Sequence, residues 1–387
     1  MTRKLAVFTG TRAEYGLLHF LLADIAASAA LELQLIVSGA HLSPEFGETV
    51  REIEQDGHHI DAQVEMLLSS NSAVGVVKSM GLGLIGYADA LDRLKPDLLL
   101  ILGDRFEAMA MAQAALIMRV PIAHVHGGEV SEGAFDDAIR HAITKMASLH
   151  FVAAERYRQR VIQMGEQPCT VFNVGALGLD HLARAARMSA EELCASLGFA
   201  LRQPYFLVTY HPVTQLDEDP EATFGALLAA LDAFPDYQVL LTYPNADNGG
   251  RALIPMLQQY AAADPARVFA VASLGFKRYH SALGAAAVMI GNSSSGIIEA
   301  PAFAVPTVNV GARQLGRLAS ASVIHCAATT EAMRAAITLA VSPAFTQVCH
   351  GATNPYGQGD AAGRIVDVLA APELPFNEHF YDIENIK

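Results

Sequence analysis

Tryptophan is absent from this 387-residue chain, cysteine occurs four times, and charged residues make up only 17% of it. Cys169, Cys194, Cys326 and Cys349 show neither a Cys-x-x-Cys pair nor the histidine spacing of a zinc site. This argues against a disulfide framework and against bound metal, and fits reduced thiols in a cytoplasmic protein. Basic residues are scarce: 26 Lys and Arg stand against 40 Asp and Glu, for a formal charge of −14. A field of that sign repels nucleic-acid backbones and anionic membranes, so neither is expected as a partner. A small anionic ligand stays open where local arginines and helix N-termini overrule the global charge. Charge interrupts the apolar stretches before about 18 residues, so no membrane span is expected. Met1-Thr-Arg-Lys4 leads straight into Leu5–Phe8, too short for the apolar core of a secretion signal.

Apolar residues are plentiful at 52%, enough for more than one core. The length favours two domains of about 150–200 residues. Short apolar runs alternate with longer helical patterns, the signature of an α/β fold with parallel sheets and crossover helices. Candidate strands are Leu5–Thr9, Leu33–Val37, Leu98–Leu102, Ile122–Val125 and His150–Val152, then Tyr205–Thr209, Gln238–Thr242, Val268–Val271, Ala287–Ile290 and Thr307–Val310. Candidate helices between the early strands are Glu14–Ser28, Ser72–Leu94, Phe106–Met118 and Asp136–Ala147. The strand signal pauses between Gly175 and Arg202. Two α/β units joined by a linker follow, expected at 1–178 and 179–365, with a segment 366–387 expected to pack back on the first.

In open α/β sheets ligands sit at the carboxyl ends of strands, so the residues after each strand are the candidates. The first strand ends in Gly10-Thr-Arg-Ala-Glu-Tyr-Gly16. That is not Gly-x-Gly-x-x-Gly, so a dinucleotide cofactor is disfavoured, and the turn by itself also suits an ordinary strand–helix connection. Asp104 and Arg105 follow the strand ending at Leu102, as a structural ion pair or as chemistry. The next strand opens onto His126, Glu129, Glu132, Asp136, Asp137, Arg140 and His141 around Gly127-Gly128. Asp136 and Arg140 share a helix face four residues apart, and either Asp136 or Asp137 suits a helix cap. Grouped carboxylates raise one another's pKa and give the mixed protonation that acid–base catalysis uses. No His-x-x-x-His frame supports a metal.

Further on, His211 and Asn245 follow two strands. The most specific element is Gly291-Asn-Ser-Ser-Ser-Gly296, with Glu299 a turn later. Small residues let backbone amides approach an anion, and a helix from Ser294 would aim its positive end at it. The segment Gly311-Ala-Arg-Gln-Leu-Gly-Arg317 adds the guanidinium fork of Arg313, suited to phosphate.

Together the segments GTRAEYG, LGDRFEA, HVHGGEVSEGAFDDAIRHAITK, GNSSSGIIE and GARQLGR resemble the hydrolysing UDP-N-acetylglucosamine 2-epimerase family of bacterial sialic and legionaminic acid biosynthesis. The resemblance implies a glycosyltransferase-B-like fold, two Rossmann-like domains facing a cleft with a C-terminal segment crossing back. It implies conversion of UDP-GlcNAc and water to N-acetylmannosamine and UDP through 2-acetamidoglucal, with no cofactor. By the same resemblance Arg12, Arg105, His211, Asn245, Ser293, Ser294, Gly296, Glu299 and Arg313 bind UDP. Asp104, Asp136, Arg140 and His41 face the sugar. Where part of the family carries a glutamate this chain has His126, so that role falls to His126 or to Glu129. A homodimer or homotetramer is implied. The competing readings are a hydrolysing 2-epimerase for UDP-2,4-diacetamido-2,4,6-trideoxyglucose and a glycosyltransferase of the same fold.

Overall fold

The computed structural model describes residues 2–70, 72–130, 135–212, 219–244, 250–376 and 379–383. The chain forms two compact units, one of Met1–Asp180 with Gly359–Lys387 and one of His181–Gln358.

The first unit holds a seven-stranded parallel sheet. Its strands are β1 (Arg3–Thr9), β2 (Leu31–Ser38), β3 (Ala62–Val64), β4 (Leu98–Leu102), β5 (Ile122–Val125), β6 (Leu149–Val152) and β7 (Val171–Asn173). They lie in the order β3-β2-β1-β4-β5-β6-β7, so the winding reverses between β1 and β4. Strand β4 reads Leu-Leu-Leu-Ile-Leu and is buried throughout, as a strand covered by helices on both faces must be. On one face Leu5 and Val7 pack with Leu18, Leu22 and Ile25 of the helix Arg12–Ala27. On the other, Phe8 and Ile101 pack with Tyr87 and Met111. Each such fully buried large side chain contributes about 1.5–3 kcal/mol.

The second unit repeats the plan with β8 (Tyr205–Thr209), β9 (Gln238–Thr242), β10 (Val268–Val271), β11 (Val288–Gly291), β12 (Thr307–Val310) and β13 (Val323–Cys326). The order is β10-β9-β8-β11-β12-β13, with the reversal between β8 and β11.

The chain's return to the first unit starts earlier than residue 366. Asp180 accepts from the backbone N–H of Ala361 (2.9 Å) and Ala362 (2.7 Å), capping the helix Ala361–Leu369. Ile365 and Leu369 of that helix are buried in the first unit's core. Beyond it, Tyr381 N donates to Gly165 O at 2.8 Å. The Phe380 ring lies where a side chain on Gly165 would point, with Lys145 Nζ 5.0 Å from its centroid.

Three short strands, β3, β7 and β13, were not expected from the sequence. All three are sheet edges, with one neighbour each and part of their residues open, and a polar residue breaks each short run. Charge interrupts the longest apolar helix at Lys78 and again at Asp89, as expected. The helix Ala73–Leu94 is long and apolar enough to cross a membrane by length and composition, with a window of mean hydropathy 1.3 that is 33% buried. Its Gly75, Ser79, Gly83 and Tyr87 face inward at a spacing of four, while Val74, Val77 and Ile85 are exposed.

Candidate active site

In the first unit the candidate residues gather at the carboxyl edge, beside the β1–β4 reversal. Strand β4 is followed by Gly103, whose φ of +82° turns the chain and whose N–H donates to Val125 O at 3.0 Å. Asp104 follows, and Arg140 Nη2 donates to its Oδ2. Arg140 is buried, one turn after Asp136 on the helix Phe135–Met146. Burial lifts the Asp136 carboxyl above the usual range, and the charge of Asp104 lifts it further, against Arg105 and Arg140. One carboxylate is thus locked in an ion pair, and its neighbour is less acidic than a free carboxyl. That asymmetry is what separates acid from base.

His126 sits in the left-handed region at φ +65°, uncommon for a residue with a Cβ and characteristic of functional sites. The Leu177 N–H donates to its Nε2 at 3.4 Å. Nδ1 therefore carries the proton and donates to Glu129 Oε1 at 2.7 Å. His126 and Glu129 form one coupled pair.

His41 has no open face. Its Nε2 lies 3.0 Å from Thr9 Oγ1 and its Nδ1 2.8 Å from Thr49 Oγ1. Burial lowers its pKa to about 4, so the ring is neutral and braces the end of β1. Arg12 is exposed and paired with Glu52 at 3.1 Å. Arg105 is half exposed, with Nε and Nη2 donating to the buried Glu107 at 3.2 and 3.3 Å. Glu14 caps its own helix from beneath, accepting from Gly10 N (2.8 Å) and Thr11 N (3.1 Å). Burial pushes its pKa up to about 7, with Glu107 nearby adding to the rise. Glu132 and Asn245 lie outside the described residues.

In the second unit the β8–β11 reversal is pinned by one side chain. Asn292 Oδ1 accepts from His211 N at 2.7 Å, and its Nδ2 donates to His211 O at 2.8 Å. Gly291 has φ +134°, and a Cβ there would stand 2.0 Å from Thr209 O, so only glycine fits. The Asn292 carbonyl accepts from Arg313 Nη1 (3.0 Å) and Gln314 Nε2 (2.8 Å), drawing the Arg313 loop onto the serine turn. His211 is lowered to about 4, by burial first and then by the charge of Arg313.

The helix expected from Ser294 is a single turn, Ser295–Ile298, followed by a 3-10 turn at Ala300–Phe303. Pro301 has no N–H to give to the carbonyl four residues back, so the helix stops. Any anion here therefore meets local N–H groups and hydroxyls rather than a long helix dipole. Ser293 Oγ accepts from Ser295 N at 3.3 Å, and Ser294 holds the cap position without a side-chain cap bond. Gly296 serves packing: its carbonyl accepts from Thr307 Oγ1 at 2.8 Å, and a Cβ would lie 2.7 Å from Thr307 Cγ2.

Glu299 is positioned by a chain of donors. Tyr279 OH donates to Ser295 Oγ (2.9 Å), which donates to Glu299 Oε2 (2.6 Å), with His280 Nε2 at 3.5 Å. Burial works to raise this carboxyl, but the bonds from His280 and Ser295 outweigh it and hold it below the usual range. An ionised carboxylate fixed at the end of this short helix can accept from vicinal hydroxyls.

A family model described as UDP-N-acetylglucosamine 2-epimerase matches residues 23–370. The chain belongs to that family. Among the relatives of this epimerase, a Campylobacter jejuni "GDP/UDP-N,N'-diacetylbacillosamine 2-epimerase (hydrolyzing)" is 39% identical over 83% of this chain and 84% of that protein. The Escherichia coli "Polysialic acid biosynthesis protein P7" is 33% identical over 98% of each. The fold is glycosyltransferase-B-like. It matches the Neisseria meningitidis UDP-GlcNAc 2-epimerase solved with UDP-GlcNAc at a TM-score of 0.79 and 16% identity, covering 95% of this chain and 99% of that one.

Several residues of this epimerase's strand ends escaped sequence reading. Asn292 and Gln314 lay within segments already singled out, but nothing in their type separated them from their neighbours. Tyr279, His280 and the half-exposed Phe276, whose ring stacks on His181 at 4.6 Å, sit on the helix Gly275–Ala285. They carry no local motif and are linked to Glu299 only by the fold.

Proposed function

We propose that this epimerase converts UDP-GlcNAc and water to free N-acetylmannosamine and UDP. The observation that carries the reading is the Asp104–Arg140 ion pair, one helical turn from Asp136, whose carboxyl is raised by burial and by Asp104. In the first half-reaction a carboxylate of this pair takes the proton from sugar carbon 2. The bond from carbon 1 to the diphosphate oxygen breaks, its electrons leave with UDP, and 2-acetamidoglucal forms. That proton is not acidic by itself, so departure of UDP must lead. Arg313, the serine turn and His211 would stabilise the leaving diphosphate, Glu299 would hold the ribose, and the family resemblance assigns Arg12, Arg105 and Asn245 to UDP as well. Water then adds its hydroxyl to carbon 1, while a proton reaches carbon 2 from the opposite face. We assign that second proton to Asp136 or to the His126–Glu129 pair.

A second reading keeps the chemistry and changes the sugar to UDP-2,4-diacetamido-2,4,6-trideoxyglucose. The activity for which the Campylobacter jejuni relative is named favours it, and the name of the Escherichia coli relative favours sialic acid chemistry. Steady-state release of UDP from each substrate, with kcat/KM compared, separates the two. Only the true substrate should yield free 2-epimerised sugar at a rate in the range of about 1–1,000 per second. A cytoplasmic location agrees with four free thiols. A homodimer or homotetramer would cover the exposed Val74, Val77 and Ile85 face, and Ile85→Asp should then lower the mass seen by light scattering.

A further inference from the structure

Beneath the Asp104–Arg140 pair lies a buried histidine to which the mechanism gives no part. His124 is on β5, wholly inaccessible, paired in register with Ile101 of β4 and His150 of β6. Its Nε2 lies 2.8 Å from Gly103 O. A carbonyl only accepts, so Nε2 carries the ring proton. Its Nδ1 lies 3.1 Å from Thr144 Oγ1, which is also 2.9 Å from Arg140 O. Burial lowers the imidazole's pKa to about 3, so it stays neutral and Nδ1 is left as an acceptor. The single Thr144 proton is therefore shared between His124 Nδ1 and Arg140 O.

These contacts close a ring. Asp104 meets Arg140 through their side chains. The residue before Asp104 and the backbone of Arg140 meet through His124 and Thr144. The glycine after His126 also rests on the brace, because a Cβ on Gly127 would stand 3.0 Å from Thr144 Oγ1 and 3.1 Å from His124 Nδ1. The ends of β4 and β5 and the helix Phe135–Met146 are thereby fixed to one another through two side chains.

We propose that His124 and Thr144 are positioning residues, which set the Asp104 carboxylate and the Arg140 guanidinium in reactive register without touching substrate. This rests on the proposed role of Asp104. A hydrogen-bonded support of this kind acts on kcat, because a small displacement of a reacting group costs rate more than binding.

The test compares Thr144→Val, which keeps the shape and removes the donor, with Thr144→Ser, which keeps the donor. His124→Gln retains a donor for Gly103 O, and Asp104→Asn is measured alone and combined with Thr144→Val. Thr144→Val should lower kcat at least tenfold, with UDP affinity within about twofold of wild type. Thr144→Ser should stay within about threefold of wild type, and His124→Gln should fall between. In the Asp104→Asn background, Thr144→Val should have almost no further effect, since both act through one carboxylate. Wild-type kcat in Thr144→Val, equal loss in Thr144→Ser, or full additivity with Asp104→Asn overturns the proposal. Normal turnover in Asp104→Asn alone instead removes the reading on which it rests.

Discussion

Asn292, at the end of β11, holds both backbone groups of His211, at the end of β8, accepting from its N–H at 2.7 Å and donating to its carbonyl at 2.8 Å. One side chain thus does at the strand reversal what a ladder bond would do further back. Asn292→Ala leaves a buried donor and a buried acceptor without partners, which costs on the order of 1–3 kcal/mol each. Thermal unfolding should register that loss, and UDP affinity by calorimetry should fall at least tenfold. A lower unfolding temperature with unchanged UDP affinity would limit the bond to a structural part.

Asp104→Asn removes the charge that Arg140 grips. Turnover should fall by roughly 3 kcal/mol of barrier or more, on the order of a hundredfold, while UDP affinity changes little. Steady-state kinetics beside UDP calorimetry reads both.

Glu14 supplies a pH dependence of stability. Burial raises its folded pKa from 4.5 to about 7, so between those values the folded chain keeps a proton that the unfolded chain releases. Its contribution is complete below the unfolded pKa and is lost as pH rises through the folded one, by at most about 3 kcal/mol. Glu14→Gln cannot ionise. Its unfolding temperature should therefore gain on wild type from pH 5 to pH 8, and a constant difference would contradict the assignment.

Gly165 stands at φ +92°, under the Phe380 ring. Gly165→Ala should cost more than about 1 kcal/mol through backbone strain and displacement of the ring. In a Phe380→Ala background only the backbone part should remain. Urea unfolding of the four variants measures the difference, and strict additivity would mean that the ring does not rest there.

The parallel core was legible because it is written locally. β4, β8 and β9 carry continuous apolar runs, and their bounds agree with the sequence reading. The edge strands β3, β7 and β13 were not legible, since a polar residue breaks each short run, whereas the edge strand β10 keeps Val-Phe-Ala-Val and was read from the sequence. At the site, residue types pointed to Asp104, Asp136, Arg140 and the serine turn. They could not show that His126 leans on Glu129, that His41 is sealed between Thr9 and Thr49, or that Pro301 cuts the helix after Ser294 to one turn. Each of those depends on which side chains a distant segment delivers. His124 was invisible for the same reason, because its partners come from β4 and from the helix Phe135–Met146.

The central claim, elimination followed by hydration, is tested most directly by proton NMR of the reaction in D2O. The account predicts UDP together with free N-acetylmannosamine bearing deuterium at carbon 2. Accumulation of UDP-N-acetylmannosamine, or free product with protium retained at carbon 2, would contradict it.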